Sequence, residues 1–130
     1  MTITQWCVLA ACLLPVLSIG LAKASMSRIS RKEGGFDNEN PREWEAKQSG
    51  WRSRANAAQN NGFEVLPLFI AGVIFAQMGD VEQSRIDMLA LGFVAARIAY
   101  IWAYLTNRAT LRSLIWAIGM AISVALLAMG

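Results

Sequence analysis

Residues 60–79 read NNGFEVLPLFIAGVIFAQMG, a stretch whose polar first half holds Asn60, Asn61, Glu64 and Pro67 and whose second half is apolar. Between Glu64 and Asp80 lie 15 uncharged residues. A helix crossing the hydrocarbon core needs about 20 predominantly apolar residues, so this stretch spans a bilayer only if its polar shoulder enters the membrane surface. Comparable runs recur: residues 1–22 and 113–130 carry no charge, and 9 uncharged residues between Asp87 and Arg97 are followed by 10 more up to Arg108. The expected spans are 3–24, 61–79, 86–106 and 111–129.

Composition agrees. Of 130 residues, 55% are hydrophobic and 16% charged, more apolar surface than a soluble domain of this length can hide. The apolar runs are continuous rather than alternating, which excludes a transmembrane β-barrel. The sequence therefore predicts an all-α integral membrane four-helix bundle of left-handed up-down topology, one domain over residues 1–130.

The first span is expected to be retained rather than cleaved. It lacks the positive N-terminal region of a signal peptide, although LAKAS at 21–25 weakly imitates a cleavage site. Cys7 and Cys12 lie five apart, about 140° around a helix, so they are read as small apolar side chains rather than a bridge. Histidine is absent. That removes His ligation and His general-base chemistry, and with two ill-spaced cysteines no zinc or iron–sulfur site, and no metal, is expected.

Eight of the twelve basic residues (Lys23, Arg28, Arg31, Lys32, Arg42, Lys47, Arg52 and Arg54) fall between the first two spans, and Arg108 and Arg112 between the last two. The positive-inside rule places both loops in the cytoplasm and both termini outside, in a cell inner (plasma) membrane. A solvated cytoplasmic rim accounts for the net charge of +3, so no nucleic-acid partner is expected. The tryptophans are read as interface anchors or packing. Within the first loop, Gly34-Gly35 and residues 38–41 stop the first helix. Asn40 as N-cap, Pro41 at the first helical position and Glu43 in a capping box start another. It is expected to run through Gly50 into the second span, 39 residues to position 79 and about 58 Å long, kinked at Pro67.

On a helical projection Asn61 and Glu64 lie about 20° and 80° from Arg54, a polar face some 15 Å long. Arg97, Tyr100, Tyr104 and Arg108, at i, i+3, i+7 and i+11, fall within about 80° on the third span. Ionisable groups at membrane depth face a bundle interior or a watery cavity. One reading is a buried Glu64–Arg97 ion pair with the amide and phenols as interhelical glue; for Arg54, Arg108 and Arg112, snorkelling to the headgroups is the simpler reading. Another is a ligand site: arginines that clamp carboxylates, a carboxylate that receives an ammonium, phenols that donate. Glutathione has the matching inventory, and its thiol, titrating near ~8.5, is activated by adjacent arginine without a protein nucleophile.

RANAAQNNGFEVLPLF (54–69), DNENPREWEAKQSGWRSR (37–54) and ARIAYIWAYLTNRATLR (96–112) together resemble the MAPEG family (membrane-associated proteins in eicosanoid and glutathione metabolism), in its bacterial branch. The family's second-helix pattern, E-R-x-x-R-A-x-x-N-x-x-E-x-x-P-x-F, is met by Arg54, Ala58, Asn61, Glu64, Pro67 and Phe69. Ser53 and Ala57 depart from it, the latter replacing an arginine that helps bind glutathione in family enzymes. The third-helix match brings Arg97, Tyr100 and Tyr104. Arg112 aligns with the thiolate-stabilising arginine if the loop has one inserted residue, with Arg108 as competitor.

The resemblance implies a homotrimer with glutathione as co-substrate between subunits near the cytoplasmic face. Arg54, Asn61, Glu64, Arg97, Tyr100, Tyr104 and a first-helix arginine, Arg28 or Arg31, would bind it. Arg112 would be catalytic. The implied activity is transfer of glutathione to lipophilic electrophiles, or reduction of hydroperoxides, with the small lipophilic substrate arriving from the bilayer. A non-catalytic lipophile-binding or scaffold protein of the same fold is the alternative. A transporter is discouraged by the absence of broken half-helices.

Overall fold

The computed structural model describes all of residues 1–130 and contains helices only. They are α1 (Ile3–Met26), α2 (Pro41–Ala46), α3 (Gly50–Met78), α4 (Gln83–Leu105) and α5 (Ala109–Met129), with a 3₁₀ turn at Arg31–Glu33. Four of them, α1, α3, α4 and α5, are long and apolar enough to cross a membrane. Short turns at 79–82 and 106–108 make successive spans antiparallel. The chain forms a multi-pass membrane bundle in which α1 and α5 each pack against α3 and α4 but not against one another.

The N-terminus of α1 is closed by a capping box: Thr2 Oγ1 accepts from the Gln5 N–H at 3.1 Å and Gln5 Oε1 accepts from the Thr2 N–H at 2.8 Å. Its first turn is tied to α4, where Asp87 Oδ1 accepts from Thr4 Oγ1 at 2.5 Å and from Gln83 Nε2 at 2.9 Å.

Lipid tails are as apolar as leucine, so helices in a bilayer associate through close packing of small residues. Ala11, Ala22, Ala55, Ala58, Ala76, Ala90 and Ala103 are accordingly buried between helices. Two glycines let backbones approach. A Cβ on Gly62 would lie 2.6 Å from Pro15 Cγ, and one on Gly72 would lie 2.8 Å from the Ser123 carbonyl oxygen of α5. Between these contacts Phe69 and Phe93 stack with centroids 3.9 Å apart. Leu13, Leu17, Leu21, Met88, Leu91, Ile98, Leu114 and Ile118 point outward, the surface that a hydrocarbon solvent accepts.

The long helix expected over 41–79 is two helices. After α2 the chain turns at Lys47–Ser49, Ser49 is extended, and Gly50 adopts φ +62°, a left-handed conformation that glycine takes readily and that cannot continue a right-handed helix. The Asn40–Glu43 capping box is also absent. Asn40 precedes Pro41 as expected, but its side chain makes no cap bond; its amide instead donates to Asp37 Oδ2 at 3.3 Å.

Residues 27–49 fold back as a cap on the ends of α1 and α3. Trp44 packs with Ile19, Ala22 and Ala55, meets Phe36 edge-to-face at 5.1 Å, and donates through Nε1 to the Gly34 carbonyl at 3.2 Å. The buried Glu45 carboxylate pairs with Lys23 of α1 at 3.1 Å, which anchors α2 to the membrane domain.

Candidate functional site

The polar residues of α4 form a ladder with α5. The Arg97 guanidinium lies over the Tyr100 ring, 4.1 Å from its centroid. Tyr100 meets Tyr104 edge-to-face at 5.6 Å, and Arg112 of α5 lies over Tyr104 at 4.4 Å. Helical spacing aligns the first three. Arg112 joins them because α5 begins at Ala109, one tight turn after α4, and returns along it.

Arg97 is buried, yet the Glu64–Arg97 ion pair raised by the sequence does not form. None of the chain's five ion pairs includes either residue, and Glu64 sits exposed on the outer face of α3. The physical reason lies in the projection: Glu64 is about 60° further round the helix than Asn61, enough to turn it out of the bundle while Asn61 turns in.

Beside the ladder, Asn61 of α3, Tyr100 of α4, and Arg112, Ser113 and Trp116 of α5 line a cavity of about 220 Å³. Asn61 Oδ1 is buried with no hydrogen-bond partner in the chain, which leaves an acceptor free there. Cation, phenol, hydroxyl and amide from three helices thus face one small polar space. A donor-rich set beside an unpartnered acceptor suits a ligand bearing both carboxylate and N–H groups.

The remaining expected residues sit elsewhere. Arg54 Nη2 donates to the Leu105 carbonyl at the end of α4, at 3.2 Å. Arg108 points to the outer surface and lies over the Trp102 ring at 5.0 Å. Arg31 is held in the cap by Asp37 at 3.6 Å and Glu39 at 3.3 Å, and lines a separate polar cavity of about 360 Å³ with Trp44, Glu43 and Lys47. Asp37 has two opposed influences: desolvation pushes its carboxyl up, but the Asn40 amide, the Glu39 N–H and Arg31 outweigh it and hold the group below its ordinary value.

Ser113 and Trp116 were not foreseen. They follow Arg112 at i+1 and i+4, a spacing that could have drawn attention to them once Arg112 was a candidate. Gln59 Oε1, two residues before Asn61, is a further buried acceptor without a partner.

A family model described as the MAPEG family matches residues 3–130. No curated protein and no solved structure matches the chain.

Proposed function

The chain belongs to the MAPEG family, and on that premise we propose that it is a membrane-bound glutathione transferase or glutathione-dependent peroxidase acting on lipophilic electrophiles or hydroperoxides. The observation that carries this reading is the convergence of Asn61, Tyr100 and Arg112 from three helices on one polar cavity, with the Asn61 side-chain oxygen buried and unpartnered within the chain.

Glutathione supplies the thiol when bound, and its thiolate is the nucleophile. The chain's own residues bind, orient and polarise. Arg112 brings the fixed positive charge that favours the deprotonated sulfur. It is itself oriented by the Tyr104 ring face, which restricts the guanidinium and strengthens its interaction in a low-dielectric site. Tyr100 donates, and Asn61 accepts. Arg97, buried without a counter-ion, stands behind Tyr100 rather than in the cavity lining, and its charge would act on a ligand carboxylate only at a distance.

Glu64 extends the proposal to the assembly. A carboxylate exposed on a membrane-spanning helix is costly unless another protein surface covers it. A homotrimer in an inner membrane, of the bacterial branch, would place a neighbouring subunit against that face and let Glu64 receive the ammonium of glutathione. The cap residue Arg31 would then reach the site from a neighbour rather than within its own chain.

Ala57 favours a second reading. It is half-buried where the family's glutathione-binding enzymes carry arginine, so a non-catalytic lipophile-binding protein would keep the fold and lose the turnover. The separating experiment uses protein in lipid nanodiscs with glutathione and a lipophilic electrophile. Conjugate formation above the uncatalysed rate supports the enzyme; binding of glutathione or lipophile without conjugation supports the second reading.

A further inference from the structure

We infer that Arg54 is a positioning residue: it holds the α4–α5 turn, and through that turn the placement of Arg112, rather than contacting glutathione. The inference rests on the glutathione reading for its consequence, but its structural part stands without it.

The last carbonyls of a helix have no intrahelical donor and need one from elsewhere. At the end of α4 the backbone supplies some of these bonds. Thr106 N–H donates to Trp102, Asn107 N–H to Tyr104 and Arg108 N–H to Ala103, the last at 2.8 Å. The Leu105 carbonyl is met from α3 by Arg54 Nη2 at 3.2 Å, a charge-assisted bond to the negative end of the helix dipole. Two residues later Asn107 stands at φ +60°, the left-handed conformation that makes the reversal between α4 and α5 so tight. Arg112 follows within the first turn of α5, its N–H donating to the Arg108 carbonyl at 2.9 Å.

Arg54 is therefore the one side chain of α3 bonded to this turn, and its direction is set. Nη2 is committed to Leu105 and Nε is buried without a partner. It does not line the cavity formed by Asn61, Tyr100 and Arg112. A shift of the turn would be carried straight into the cation over Tyr104, because the linker is too short to absorb it.

The test compares wild type, Arg54→Met and Arg54→Lys in nanodiscs, the lysine retaining a charged donor for the carbonyl. Without glutathione, hydrogen exchange of residues 106–112 should rise about tenfold in Arg54→Met, the loss of one net hydrogen bond at a helix end, and return toward wild type in Arg54→Lys. With glutathione, the pH midpoint for thiolate formation should move upward in Arg54→Met. That shift should vanish when Arg112 is already methionine, since Arg54 acts through it. Unchanged exchange in Arg54→Met, or a midpoint shift that persists in the Arg112→Met background, overturns the inference and makes Arg54 a direct ligand contact. If wild type binds no glutathione, the functional reading fails while the exchange arm still decides the turn. Should Arg54→Met not fold, Arg54→Gln, whose shorter and uncharged side chain weakens the bond to Leu105, takes its place: raised exchange at 106–112 supports the inference, and exchange equal to wild type contradicts it.

Discussion

Arg112 of α5 lies over the Tyr104 ring of α4, 4.4 Å from its centroid, whereas Arg108, four residues earlier, lies over Trp102 on the outer surface. The two arginines that the loop alignment left in competition therefore face different surroundings. Replacing Arg112 by alanine should lower turnover about 10²–10³-fold, the usual effect of removing one preorganised charge-stabilising donor. Arg108→Ala should stay within a few-fold of wild type, as expected of a solvent-facing charge. Conjugation kinetics of the two variants, measured side by side, check this.

Gly72 fixes the spacing of α3 and α5. A Cβ there would meet the Ser123 carbonyl oxygen at 2.8 Å and Leu126 Cβ at 3.1 Å. Backbone cannot swing aside as a side chain can, so Gly72→Val should force the helices apart and destabilise the bundle by about 1–3 kcal/mol. Gly20, where an added Cβ meets nothing, should accept alanine without loss. Thermal unfolding in one detergent compares them.

The cap over the α1 and α3 ends should loosen in acid. The folded-state pKa of Asp37 lies below its ordinary value because Asn40, the Glu39 N–H and Arg31 favour the carboxylate over the opposing desolvation. A depressed carboxyl stabilises fully above its unfolded value, about 3.9, and this contribution disappears as pH falls through the folded value. Hydrogen-exchange protection of residues 31–40, corrected for intrinsic rates, should fall below that range in wild type. In Asp37→Asn it should already be reduced at neutral pH and no longer change across the same interval.

Much of the fold was legible because uncharged runs of membrane length have few alternatives. The starts of α1, α4 and α5 fall within three residues of the expected spans. The break at 47–50 was not. Gly50 within an otherwise helical pattern is tolerated as often as it breaks, and only its φ of +62° decides. The polar stripe of α4 was visible too, since Arg97, Tyr100 and Tyr104 repeat on one face and their side chains stack as a ladder. What remained hidden was tertiary. A projection grouped Glu64 with Asn61 without knowing where neighbouring helices lie, and Arg54's bond to Leu105 joins residues 51 apart in the chain. Ser113 and Trp116 join the site only because α5 packs against both α3 and α4.

Glutathione is proposed to bind where Asn61, Tyr100 and Arg112 meet. Titrating glutathione into wild type, Asn61→Ala and Arg112→Ala while following thiolate absorbance tests it most directly. Saturable thiolate formation is expected in wild type, with weaker affinity in Asn61→Ala and binding with little thiolate in Arg112→Ala. Absence of any saturable signal in wild type at millimolar glutathione, or identical curves for all three proteins, would contradict it.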